Sequence, residues 1–148
     1  MSNEITKSIS VNAPESVVFK ALTDEKELVQ WLAKSVRMDA RVGGEFEFRF
    51  NWVASSTRST ETTVKGRVVE LVSNRRLSYT YFSSDAEPGR PPSLLTWSLE
   101  NSSDGKTLVT LVRSGFEGDP FREILAWGYY LERLAAHCSR DTLEVMRQ

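Results

Sequence analysis

Residues 45–52 constrain the fold most, because aromatic and polar side chains alternate strictly along them. Successive side chains of a β-strand point to opposite faces, so this period of two predicts a strand with one aromatic and one polar face. The aromatic face carries Phe46, Phe48, Phe50 and Trp52. A sheet with two such different faces is typical of antiparallel sheets that are covered on one side, so another element must cover these rings.

The same period of two predicts further strands on both sides of this segment. They lie at residues 5–11, 36–40, 62–72, 76–82, 95–99 and 107–114, and a polar loop is predicted over residues 54–60. Tyr79 and Tyr81 share one face of their strand, and Trp97 is central in another. The register of the last strand stays open, because apolar residues at 108, 109, 111 and 112 occupy both of its faces.

The chain also contains three helical segments. Two short helices are predicted after the first strand, with start signals at Pro14 and Asp24. A third segment follows Gly118 and runs for about 25 residues without proline. Its apolar side chains fall close to one stripe, as in a helix that packs on a sheet. They are Ile124, Trp127, Tyr130, Leu131, Leu134, Cys138, Leu143 and Val145.

This order of elements predicts an α+β fold in one domain over residues 1–148. Six consecutive strands form an antiparallel meander, and the first strand joins it at an edge or beside the last strand. Only the C-terminal helix has the apolar stripe and the length to cover the aromatic face. We therefore expect a curved antiparallel sheet wrapped around a long C-terminal helix. Rigid rings on a bent sheet leave gaps beneath a straight helix, which favours an apolar cavity.

Several segments also resemble a known family. The resemblance rests on the order and spacing of segments at residues 11–15, 18–19, 21–24, 28–31, 39–46, 66–70, 76–77 and 114–116, followed by Gly128. In these the chain is similar to the START/Bet v 1-like (SRPBCC) superfamily, in the branch related to the C-terminal domain of the activator of Hsp90 ATPase. The resemblance implies the helix-grip fold, with two short helices supporting the sheet and a long helix over a cavity.

The chain departs from these relatives in two respects. Arg113 and Ser114 stand where related sequences often carry a histidine or another polar residue, so the resemblance implies no role for Arg113. The separate N-terminal domain of the true activator has no counterpart in these 148 residues. We therefore do not expect Hsp90 activation.

Composition argues against several classes of function. A net charge of −1 does not favour nucleic acid or an anionic membrane as partner. One cysteine and one histidine give no ligand spacing for a metal, and no cofactor is expected. Cys138 and His137 are neighbours on a helix and point about 100° apart, so we expect a core cysteine and a surface histidine rather than a catalytic dyad. Without a signal-peptide pattern, we expect a cytoplasmic protein.

The remaining functional signal is the set of large inward-facing residues. Apolar walls with a few polar groups are typical of small-molecule pockets. The predicted cavity residues are Trp31, Phe48, Phe50, Trp52, Tyr79, Tyr81, Trp97, Arg113, Trp127, Tyr130, Leu131 and Leu134. Arg113, if it points inward, needs a carboxylate or an anionic ligand.

The leading hypothesis is a binding protein for a small apolar or aromatic molecule, without catalytic machinery. A polyketide cyclase/aromatase-like enzyme of the same superfamily is the first alternative. A module that binds a chaperone-associated protein or a second copy of the chain, as a homodimer, is the second alternative. Exposed apolar residues such as Val53 and Phe121 would be the signature of such an interaction module.

Overall fold

The computed structural model describes residues 3–55, 58–84, 89, 91–116 and 118–147, without the side chains of residues 51–61 and 140–147. Within these residues, seven strands and three α-helices follow one another in the order that the sequence predicts, and a short 3-10 turn at Ser103–Gly105 connects the last two strands. In chain order the elements are β1 (Asn3–Val11), α1 (Glu15–Thr23), α2 (Glu25–Trp31), β2 (Ser35–Met38), β3 (Glu45–Ser55), β4 (Arg58–Val72), β5 (Arg76–Ser83), β6 (Ser93–Asn101), β7 (Thr107–Phe116) and α3 (Pro120–Arg147).

The strands form one antiparallel sheet in the order β1-β7-β6-β5-β4-β3-β2. Strands β2 to β7 are a meander, and β1 pairs with β7 at one edge. Strands β1 and β2 can lie at opposite edges because α1 and α2 carry the chain from one edge of the sheet to the other. The α+β helix-grip fold is therefore confirmed, with a curved sheet around the C-terminal helix.

The predicted loop over residues 54–60 is wrong in its extent. Strand β3 continues to Ser55 and β4 already begins at Arg58, so most of this segment belongs to a long hairpin. Val53 pairs with Ser59, and Trp52 pairs with Thr60. The polar composition suggested a loop, but Thr has a high β-propensity and cross-strand pairing extends the ladder.

The structure resolves the register of β7. Val109 and Leu111 are completely buried, whereas Leu108 and Val112 are half-buried on the other face. Because the side chains of a strand alternate, Arg113 lies on the same face as Val109 and Leu111. This register directs the side chain of Arg113 to the buried face of the sheet, a direction that the sequence left open.

Helix α3 approaches the two sides of the fold differently. Its backbone lies close to β1, α1 and α2. Among the described residues, contact with the middle of the sheet is made through large side chains, such as that of Trp127, which reaches Trp97 on β6. A straight helix cannot follow a concave sheet along its whole width, and rings fill the distance between them.

Gly66 on β4 marks a close backbone approach in the sheet. A β-carbon at this position would lie 1.8 Å from the Thr80 carbonyl oxygen and 2.5 Å from the ring of Phe46. Strand β5 and the Phe46 ring therefore occupy the space that a side chain would need. Only glycine can be accommodated without moving backbone atoms.

We predict that Gly66→Ala lowers the free energy of unfolding by about 1–3 kcal/mol, the usual cost of overpacking a close-packed site. Urea unfolding of the purified protein measures this change. Lys65→Ala, one residue away with a side chain 67% exposed, is the matched control and should change stability little. Equal stability of the two variants would contradict the proposed close contact.

Candidate ligand-binding site

A layer of aromatic rings joins α3 to the concave face of the sheet. Trp127 on α3 lies between two sheet residues, with its ring centroid 6.1 Å from Trp97 and 5.9 Å from Tyr81. Tyr130, one turn further along the helix, lies 5.9 Å from Phe50. These pairs meet at steep angles of 63° to 80°, the edge-to-face arrangement that aromatic quadrupoles favour.

The sheet contributes the floor of this layer. The Tyr79 ring lies 4.6 Å from Phe46 and 6.3 Å from Phe48, and all three side chains are buried. The indole N–H of Trp97 donates a hydrogen bond of 3.0 Å to the Tyr79 hydroxyl. A buried indole N–H and phenol are thereby satisfied by each other, so the layer holds polar atoms without exposing them to water.

Helix α2 closes the layer on another side. The Trp31 ring meets the Trp97 ring edge-on at 6.2 Å, and its N–H donates to the Ala21 carbonyl oxygen at 2.8 Å. Leu131 and Leu134 of α3 are also completely buried in this core. The family resemblance implies that the two short helices support the sheet. In this structure they also position Trp31 as an aromatic wall of the layer.

Arg113 forms the polar end of the aromatic layer. Its Nη1 donates to Glu123 Oε2 of α3 at 2.5 Å, and its Nε donates to Ser93 Oγ at 3.2 Å. The guanidinium also lies 4.8 Å from the Tyr81 ring and 4.9 Å from the Phe116 ring. The carboxylate expected for an inward arginine is therefore supplied by the protein, and an anionic ligand is not required.

Burial of the tyrosines keeps their hydroxyls protonated. Desolvation raises the pKa of Tyr79 well above its usual range, although the hydrogen bond from Trp97 opposes the shift. Burial also raises the pKa of Tyr81, and the charge of Arg113 partly opposes it. Burial raises the pKa of Tyr130 to about 12. At neutral pH these phenols therefore keep their protons and do not act as bases.

The structure brings together most of the residues that the sequence nominated. Trp31, Phe48, Phe50, Tyr79, Tyr81, Trp97, Arg113, Trp127, Tyr130, Leu131 and Leu134 all face the space between the sheet and the helices. The side chain of Trp52 lies outside the described residues. Glu123, Ser93 and Phe116 were missed, although the short connection from β7 to α3 could have placed Glu123 near Arg113.

The prediction of a surface position for His137 is wrong. Its side chain is only 7% exposed, and Nε2 lies 3.2 Å from Glu27 Oε1 of α2. A small pocket of about 150 Å³ adjoins it, lined by Gln30, Trp31, Arg133, Ala136 and His137. The core position predicted for Cys138 is confirmed. Helix α2 packs across this part of α3, which the pattern of α3 alone could not reveal.

The described residues hold no group of three or more His, Cys, Asp or Glu side chains with the spacing of a metal site. Within the same residues, no helix has both the length and the apolar character needed to span a bilayer. The polar centre of the candidate site is the Arg113–Glu123 pair, and its walls are aromatic.

Residues 12–139 match the family model described as activator of Hsp90 ATPase homolog 1-like protein. The chain belongs to this family. The match covers nearly all of the region on which the sequence resemblance rests and confirms it. A comparison with curated proteins found no match.

Solved structures of similar proteins have the same fold. Protein CV1439 from Chromobacterium violaceum is 30% identical, with 90% of this chain and 96% of that chain covered and a TM-score of 0.77. The Aha1 dimer from Colwellia psychrerythraea is 19% identical, with 90% and 93% covered and a TM-score of 0.71. DynU16, described as a protein in the dynemicin biosynthetic locus, is 19% identical, with 92% and 47% covered and a TM-score of 0.70.

We predict that Arg113 and Glu123 are energetically coupled. Arg113→Met should lower the free energy of unfolding by about 1–3 kcal/mol, because it leaves a largely buried carboxylate without its partner. Arg113→Met combined with Glu123→Met should cost less than the sum of the single changes, by at least about 0.5 kcal/mol. Urea unfolding of the four proteins gives this double-mutant cycle, and strict additivity would refute the coupling.

We also predict that stability falls at alkaline pH because of the buried tyrosines. The pKa of Tyr130 is about 12 in the folded protein, against an ordinary value of 10.0. Between these values the unfolded chain has lost the proton that the folded protein retains, so the free energy of unfolding decreases as pH rises. It is unaffected by this group below about pH 9.

Urea unfolding between about pH 8 and pH 11.5 tests this expectation. Tyr130→Phe removes the ionisable hydroxyl. The free energy of unfolding should then fall less steeply with pH, by at most about 1.4 kcal/mol per pH unit. An unchanged slope in the variant would show that Tyr130 does not contribute to the alkaline loss of stability.

Proposed function

We propose that this protein binds a small apolar or aromatic molecule between the sheet and α3. The observation that carries the proposal is the way α3 reaches the middle of the sheet. Its backbone lies close to β1, α1 and α2, and aromatic side chains bridge the remaining distance to β3, β5 and β6. Because side chains alone fill this distance, a flat molecule would enter the layer by displacing rings, which can rotate about two side-chain bonds.

The polar end of the aromatic layer, formed by Arg113 and Glu123, favours a ligand that carries one uncharged polar group. Arg113 and Glu123 neutralise each other, and their side chains are 13% and 28% exposed. A buried anionic ligand would disrupt this pair, whereas a carbonyl or hydroxyl group can accept a hydrogen bond from the guanidinium while the pair persists. The Tyr81 ring beside Arg113 provides an apolar surface for the rest of the molecule.

A cyclase- or aromatase-like enzyme is the second candidate function. The specific observation that favours it is the position of Tyr81 beside Arg113, since a protonated phenol and a guanidinium can together polarise a carbonyl group. DynU16, a protein in the dynemicin biosynthetic locus, offers a biosynthetic context for this fold. Both candidate functions use the same space, and the enzyme differs only in turning over the molecule it binds.

Self-association is a separate proposal about the partner of this protein. The similar Aha1 from Colwellia psychrerythraea is a dimer, which supports the same state here. The chaperone-related alternative needs an exposed apolar surface of the same kind. Phe121, which was nominated for this purpose, is 68% exposed, and the side chain of Val53 lies outside the described residues.

Ligand binding is tested with native mass spectrometry and a thermal-shift series. We expect 2-naphthol and naphthalene to raise the midpoint of thermal unfolding, because both fit an aromatic layer. Replacing Arg113 and Glu123 together by Met should weaken 2-naphthol binding about tenfold and leave naphthalene binding unchanged, since only the naphthol hydroxyl contacts the pair.

The matched control replaces a pair of the same chemistry on the outer face. Arg67 and Glu45 lie 3.0 Å apart and are 61% and 76% exposed, so Met at both positions should leave both affinities unchanged. The binding proposal is rejected if neither compound is bound or if the two double variants behave alike. Consumption of a polyketide-type substrate would distinguish the enzyme from the binding protein.

A further inference from the structure

One side of α3 is apolar but faces away from the core. Phe121, Leu125 and Tyr129 follow one another at intervals of four residues, and they are 68%, 60% and 55% exposed. Side chains at this spacing form a continuous ridge on the helix surface. Three large apolar side chains in one exposed row differ from the scattered surface residues that are common on monomers.

The ridge ends in a cation. Arg133 is the next residue at the same spacing, and its guanidinium lies 5.7 Å from the centre of the Tyr129 ring. Its Nε donates to the Trp31 carbonyl oxygen at 2.7 Å, which fixes the side chain against α2. The ridge therefore begins with an aromatic ring and ends with a cation that can bind an aromatic ring.

Two charges of opposite sign, those of Lys7 and Glu132, flank this ridge. Lys7 of β1 lies against α3 at Gly128, where a β-carbon would be 3.3 Å from its Cε and 3.5 Å from its Nζ. Glu132 is exposed one turn further along the helix. Within the described part of the chain, neither Lys7 nor Glu132 has a carboxylate or a cation as partner.

We propose that the ridge Phe121–Leu125–Tyr129–Arg133 is the interface between two copies of this chain. This inference rests on the proposed self-association and names the surface that produces it. Two ridges of this spacing pack side by side when the helices cross at about 50°, the commonest packing in globular proteins. A two-fold axis at the level of residue 127 makes the ridges antiparallel.

This arrangement makes the surface complementary to itself. Leu125 of one copy lies beside Tyr129 of the other, and Phe121 lies beside Arg133, so each apolar or cationic group meets a suitable partner. Glu132 comes level with Gly128 of the other copy, where the ammonium group of Lys7 is located. Two-fold symmetry repeats every contact, as in an isologous dimer. A second copy would therefore cover the apolar surface and bring the charges of Lys7 and Glu132 together.

Sedimentation equilibrium of the full chain between about 5 and 500 µM tests the proposal. We expect a concentration-dependent dimer, and Leu125→Glu should weaken it at least tenfold because this residue lies beside the axis. Val69→Glu places the same charge on another exposed apolar residue, 47% exposed on β4, and should leave association unchanged. Circular dichroism and the thermal midpoint establish that each variant is folded.

A charge exchange tests the flanking contact. Glu132→Lys should weaken the dimer, and Lys7→Glu in the same chain should restore it, because the exchanged charges still attract between copies. A monomer at all concentrations would overturn both self-association and this surface. A dimer that persists in Leu125→Glu and Phe121→Glu would overturn the surface alone and leave self-association standing. Neither result bears on ligand binding.

Discussion

The structure depends on how a straight helix is attached to a concave sheet. Helix α3 approaches β1 closely but lies further from the middle of the sheet, and Trp127 and Tyr130 fill the difference. A layer of small aliphatic side chains would leave voids that cost stability, whereas rings provide the necessary volume with few rotatable bonds. The aromatic layer is therefore both the core that stabilises the fold and the place where a flat ligand could be inserted.

Large rings bring polar atoms into the core, and the fold satisfies them in pairs. Trp97 donates to Tyr79, and Trp31 donates to the Ala21 carbonyl oxygen. At the boundary of the same layer, Arg113 binds Glu123. An unpaired buried polar group would cost about 1–3 kcal/mol, so these pairs restrict which rotamers the rings can adopt. In the proposed binding mode, they also define where a ligand would find a hydrogen bond.

The two sides of α3 have different chemistry. The inward side is part of the core, and the outward side carries Phe121, Leu125 and Tyr129. We propose the first side for binding a small molecule and the second for contact with another copy of the protein. Because the same helix supports both proposed sites, a movement of α3 would connect them. The Arg113–Glu123 pair links the start of that helix to the sheet and would resist such movement.

The sequence by itself determined the order of elements, the aromatic face and the long covering helix, because local side-chain periodicity follows from backbone geometry. It also identified nearly all the rings of the candidate site, since inward positions alternate along each strand. It could not determine the direction of Arg113, whose strand has apolar residues on both faces, nor the burial of His137 beneath α2. Both depend on contacts between segments far apart in the chain. Glu123 reaches Arg113, and Glu27 reaches His137, only after the sheet and helices have packed. The tertiary structure alone therefore decided these two contacts.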